Sequence, residues 1–199
     1  MGPWGLAMDV NASPRWRPFA RFSPWDLCGL YVGPSIASPK SKEAYELRVL
    51  GMLLPGILSV PPLRVLKRES PDFEVTATEG SLFVEIVDAV PDAISSSGNM
   101  NLAKRRSRPN SEPYHVEAEQ FAAVIGREID GKRSKALRWQ QGEPELRGRL
   151  ILAVNGGQGP MQLREYFRHV EQYQRLVSAS IEPFVKVLVG DETGAYICR

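Results

Sequence analysis

The stretch PDFEVTATEGSLFVEIV, residues 71–87, alternates apolar and polar side chains on both sides of a Glu79-Gly80 pair. A period of two is the mark of a half-buried strand, and a turn pair between two such runs marks a β-hairpin. With Glu79-Gly80 as a two-residue loop, Thr78 faces Ser81, Thr76 faces Phe83 and Glu74 faces Glu85. Asp72, Glu74 and Glu85 then project from one face, and Phe73, Val75, Ala77, Leu82, Val84 and Ile86 from the other. Asp72 and Glu85 become diagonal neighbours about 7–8 Å apart, close enough for both carboxylates to serve one hard cation. A three-residue loop would put Asp88 in Glu85's place, but it would mix the two faces, which register opposes.

Upstream, residues 42–54 carry Ala44, Leu47, Leu50, Leu53 and Leu54 at helical spacing and stop at Pro55-Gly56; residues 63–67 read as a strand. Downstream, residues 89–112 are polar and carry Lys104, Arg105, Arg106 and Arg108, the pattern of a long basic loop. The spacing predicts a helix over 113–138, with Ala118, Phe121, Ala122, Ile125, Ile129 and Ala136 on one stripe. Residues 150–154 are a nearly continuous apolar strand, suited to burial on both faces. A Gly-rich turn at 156–160 leads to a helix over 161–178, and 184–189 and 195–198 are closing strands. This order predicts an α/β fold: a mixed β-sheet flanked by helices, with an α-β-β-β-α-β core, an added helix and two C-terminal strands.

Residues 1–40 are rich in Pro, Gly and Ser, hold Trp4, Trp16 and Trp25, and show no period. They read as an arm, either partly ordered on the domain or a partner-binding tail, with the ordered domain over 41–199. The tryptophans favour burial somewhere.

At 199 residues, with 43% hydrophobic and 24% charged residues, the chain suffices for one well-buried core. A net charge of +2 excludes a polycation, so nucleic-acid affinity has to come from local clusters. Cys28 and Cys198 are too few and too distant for a metal knuckle or a disulfide framework. His115 and His169 lack a second histidine at ligand spacing, and the Gly-rich turn lacks the Gly-Lys-Ser/Thr ending of a phosphate loop. No run approaches the ~18 apolar residues of a membrane span, and the N-terminus lacks a signal-peptide pattern. The expectation is a cytoplasmic protein.

Pro71-Asp72, a hairpin, and Glu85 followed by an apolar residue resemble the PD-(D/E)XK nuclease superfamily, the restriction-endonuclease-like fold, over residues 41–199. The resemblance implies cleavage of nucleic acid, DNA foremost, with Mg²⁺ or Mn²⁺ held by Asp72 and Glu85. It also implies a lysine two residues after the Glu, but that position is Val87. Some members supply this lysine from the following helix. Here Lys132 falls on the apolar stripe, three residues after Ile129, while Lys135 lies roughly 100° from the stripe's centre. A further acid on the first helix is common in the superfamily. Glu43 lies in register with Leu47, Leu50 and Leu54, with Glu46 beside that stripe, and the resemblance implies that either, Glu43 foremost, adds a metal-bridging carboxylate. Lys104, Arg105, Arg106 and Arg108 are the expected phosphate contacts. Val87 leaves a second expectation standing, a binding module on the same fold acting through the arm and the basic loop. A homodimer or a protein partner through the arm also stays open.

Overall fold

Ser41 starts the first helix, because its hydroxyl accepts a hydrogen bond from the Ala44 N–H at 3.1 Å and satisfies a donor that a helix start leaves open. The computed structural model describes residues 16–18, 25–36, 38, 41–88, 118–155, 181–191 and 194–198. The basic loop with Lys104, Arg105, Arg106 and Arg108, the Gly-rich turn at 156–160 and the helix expected over 161–178 lie outside the described residues.

In chain order the elements are β1 (Trp16–Pro18), β2 (Tyr31–Val32), α1 (Lys42–Leu53), β3 (Arg64–Lys67), β4 (Phe73–Ala77), β5 (Gly80–Asp88), α2 (Ala118–Gly142), β6 (Leu150–Asn155), β7 (Lys186–Asp191) and β8 (Gly194–Cys198). The strands form one mixed sheet in the order β1-β8-β7-β6-β5-β4-β3-β2. β5, β6 and β7 run parallel, as do β2 and β3, and the other pairs are antiparallel. From α1 to β6 the order is the α-β-β-β-α-β that the sequence implies.

Each sheet face is apolar for its own reason. Leu47, Leu50 and Leu53 of α1 pack in one buried cluster with Val65, Phe73, Val75, Val84, Ile86, Ile151 and Ala153. The residues between them in sequence, including Phe83, Val87, Leu152 and Val154, are buried on the opposite face. α2 lies on that side and buries Ile129 and Ala136. The hydrophobic effect thus fixes two layers of helix around a sheet whose central strands are covered on both faces.

The hairpin differs from the expectation by one residue. Ala77 pairs with Gly80 and Phe73 with Val84, so the loop is Thr78-Glu79 and not Glu79-Gly80. Gly80 has φ 126°, a conformation that side chains oppose, so the glycine is needed where the chain leaves the turn. Each residue shifts its partner by two positions, which preserves parity and therefore the two faces. Glu74 accordingly faces Phe83, not Glu85. Continued by one residue, the same register sets Asp72 directly opposite Glu85, where a diagonal was expected.

The sheet extends further upstream than the expected boundary near Ser41. β1 pairs with β8 and β2 with β3, so segments of the N-terminal 40 residues form both edges of the sheet. Strands of three and two residues are too short to show a period. Leu27 joins the core cluster and Trp25 packs against it. Trp25 is also tied to α1 through its N–H, which donates to the Gly51 carbonyl at 3.1 Å.

That contact gives a paired prediction. A Cβ on Gly51 would lie 2.3 Å from the Trp25 carbonyl oxygen, whereas one on Gly131 in α2 meets nothing within 4 Å. Gly51→Ala is expected to destabilise by about 1–3 kcal/mol through overpacking. Gly131→Ala should stabilise by about 0.5–1 kcal/mol through helix propensity. Urea unfolding of the two variants checks the opposite signs.

Candidate functional site

The β4–β5 ladder ends at the Phe73–Val84 pair, and beyond it two carboxylates replace the backbone rungs. Glu85 Oε2 accepts from the Asp72 N–H at 3.2 Å, and Asp72 Oδ2 accepts from the Ile86 N–H at 2.9 Å. An N–H just beyond the ladder on each side is thereby satisfied by the acid of the other side, so neither carboxylate is free to swing away.

Cations hold the remaining oxygens. Lys132 of α2 donates to Glu85 Oε1. Lys67, at the end of β3, reaches Asp72 Oδ1 at 3.1 Å and Glu46 Oε2 at 2.8 Å. Lys42 closes the chain at 3.3 Å from Glu46 Oε1. Glu46 and Glu85 are each only 6% exposed, so these pairs are formed largely out of water. Burial pushes the Glu85 carboxyl above the usual carboxylate range, and the Asp72 charge pushes it further; Lys132 and the Asp72 N–H only partly offset this. Burial draws the Lys67 ammonium down, but its contacts with Glu46 and Asp72 outweigh that and leave its pKa raised.

A second polar group adjoins the first on the α1 side. Asn155, buried at the end of β6, donates to the Tyr45 hydroxyl at 2.6 Å and to Asp88 Oδ1 at 2.9 Å. The Tyr45 hydroxyl donates to the same Asp88 oxygen. The ends of β3, β5 and β6 and the start of β4 therefore bring their polar residues to one edge of the sheet. Crevices at the carboxyl ends of parallel strands are the usual ligand sites of such sheets. Here the crevice is a pocket of about 670 Å³ with Glu46, Asp72, Glu85 and Asp88 in its lining, and Lys135, Arg138 and Trp139 of α2 in its wall.

Of the residues singled out in the sequence, Asp72, Glu85 and Lys132 come together. Glu43 does not join them and does not line the pocket; the first-helix acid in the cluster is Glu46. Glu74 turns toward Ser81 and Arg68, at 3.1 and 3.4 Å, and does not line the pocket. Lys67, Tyr45, Asp88 and Asn155 were not expected as a group. Their available signal was positional: Lys67 and Asn155 are the polar residues on which two apolar strands end.

The donor set suits a hard divalent cation. Each oxygen of Asp72 and Glu85 has one donor from the protein, and a carboxylate oxygen carries a second lone pair. Among the described residues no three His, Cys, Asp or Glu side chains form a metal-holding group. Two carboxylates complemented by water and substrate oxygens are the usual protein share of a magnesium site, and this pair fits it. No described helix is long and apolar enough to cross a membrane. Comparison with protein-family models, curated proteins and solved structures finds no match to the chain.

Three outcomes follow from the charge network. Lys67→Met leaves Glu46 and Asp72 buried without their shared cation, and denaturant unfolding should show a loss of about 3–5 kcal/mol. Asp72→Asn removes the like charge beside Glu85, so a carboxyl NMR titration should show the Glu85 pKa falling. The sign for stability is set by that raised pKa: Glu85's contribution is full below its unfolded-state pKa and is lost as pH rises through its folded-state pKa. Wild type should therefore gain stability relative to Glu85→Gln as the pH is lowered through that window.

Proposed function

We propose that the chain is a divalent-metal-dependent nuclease of PD-(D/E)XK type that cleaves nucleic-acid phosphodiester bonds, DNA foremost, in a cytoplasmic setting. The observation that carries this reading is the juxtaposition of Asp72 and Glu85 at the end of a strand pair, with Lys132 delivered onto Glu85 by the next helix. The α-β-β-β-α-β order supports it as well.

Asp72 and Glu85 would hold Mg²⁺ or Mn²⁺, which when bound polarises the scissile phosphate and lowers the pKa of a bound water. Every other contribution comes from the chain. The reciprocal backbone hydrogen bonds fix the two carboxylates, so no reorganisation is needed when substrate arrives. Lys67 holds Asp72 from the α1 side through its Oδ1. Lys132 takes the part of the lysine that Val87 cannot supply: its ammonium beside Glu85 orients a water or offsets negative charge on the phosphate. Val87 itself is buried among apolar residues and contributes packing.

A second reading is favoured by a specific feature. All four oxygens of Asp72 and Glu85 already have a protein donor, so the acids are neutralised without an added cation. That is also how a binding module with a decayed site would be built.

A cleavage assay separates the two. Wild type should cut DNA with Mg²⁺ or Mn²⁺ and not with EDTA, and Asp72→Ala and Glu85→Ala should abolish cutting. Lys132→Met should lower kcat by roughly 10²–10³ with a smaller change in KM, as for loss of a transition-state charge partner. Identical absence of cutting by wild type and both alanine variants, with either metal, rejects the nuclease and selects the binding module.

A further inference from the structure

Ile129 and Ala136 turn one stripe of α2 into the core. Lys132, Lys135 and Trp139 follow at i, i+3 and i+7 on a neighbouring stripe, with Arg138 beside it, and all four line the pocket above Asp72 and Glu85. By helical rise, Lys135 stands about 4.5 Å and Trp139 about 10 Å along the axis from Lys132. Lys132 is engaged by Glu85. Lys135 and Arg138 are exposed and make no ion pair among the described residues. The helix offers them no acid either: their neighbours three and four residues away are Gly131, Lys132, Ser134, Arg138, Trp139, Lys135, Gln141 and Gly142. Lys135 and Arg138 thus continue the positive charge of Lys132 along α2, in a pocket whose remaining acid outside the floor is Glu69.

Trp139 sets an aromatic side chain beside these cations. It is only partly buried, in a pocket lined, Ile86 apart, by charged and polar groups. A cationic track interleaved with an aromatic ring is the arrangement that holds single strands: phosphates follow the charges and an unstacked base lies on the ring. A pocket of about 670 Å³ has the size of a small-ligand site, suited to one or two nucleotides. A closed duplex keeps its bases stacked on one another, away from the ring.

We propose that α2 is the strand-binding wall of this site, with Lys135 and Arg138 on phosphates flanking the one at the floor and Trp139 stacked on an unpaired base, so that single-stranded DNA is preferred to closed duplex. The inference rests on the nuclease reading only in placing the scissile phosphate over Asp72 and Glu85; the strand contact itself needs no cleavage.

The test is binding of the full chain in EDTA to a fluorescein-labelled oligothymidylate and to a blunt duplex of matched length, followed by anisotropy. The single strand should bind roughly tenfold tighter. Trp139→Ala should weaken single-strand binding roughly tenfold, with most of the loss restored in Trp139→Phe. Lys135→Gln and Arg138→Gln should each reduce the salt dependence by about one phosphate contact. Equal binding of the two probes, no binding, or tighter binding of a matched oligouridylate overturns the proposal. So does a folded Trp139→Ala that binds as wild type does. Should Trp139→Ala fail to fold, the two exposed cations decide, and unchanged salt slopes overturn it. Cleavage is scored separately: binding as described without cutting rejects the nuclease and keeps the wall. Cutting with unaltered binding in the variants does the reverse.

Discussion

Where the β4–β5 ladder runs out, Asp72 and Glu85 each accept a backbone N–H from the opposite strand, and most of the surrounding chemistry is an answer to that exchange. It sets two carboxylates side by side at a buried sheet end, a placement that costs several kcal/mol per charge unless cations and donors are arranged around it. Lys67 and Lys132 meet that need from different layers. Lys67 links Asp72 to Glu46 of α1, and Lys132 brings α2 to Glu85. The site therefore fastens both helical layers to the same sheet edge. A change in any of these residues acts on folding and on the pocket together.

Strand direction explains why the polar residues converge. β3 ends at Lys67, β5 at Asp88 and β6 at Asn155, and the antiparallel β4 begins just after Asp72. All four points fall on one edge, between α1 and α2. The apolar sheet faces supply rigidity, and the edge supplies charge. Burial first and the Asp72 charge second push the Glu85 pKa up, and a divalent cation held between the two acids would offset both.

The sequence made the faces of the hairpin legible because alternation survives an even shift in register. The turn slipped by one residue, since its glycine serves the exit from the loop at φ 126°, yet Asp72 and Glu85 stayed on a common face and came closer than expected. Lys132 was legible from its place on an apolar helical stripe. Glu46 was less so: a buried acid breaks a hydrophobic pattern, and only its pairing with Lys67 and Lys42 makes burial tolerable. Tyr45, Asp88 and Asn155 meet through contacts between residues far apart in the chain, and Lys67 joins Asp72 to a helix residue twenty-one positions upstream, which no local period encodes. The edge strands β1 and β2 were hidden for a simpler reason: pieces of three and two residues carry no readable alternation.

We propose that Asp72 and Glu85 hold a divalent metal. Paramagnetic broadening of backbone amide resonances by substoichiometric Mn²⁺ tests it most directly, because it reads where the ion sits whether or not the protein cuts anything. The Asp72, Glu85 and Ile86 amides should broaden first, Mg²⁺ should compete the effect away, and Asp72→Asn should weaken it. Broadening centred elsewhere, or none at these amides, would contradict it.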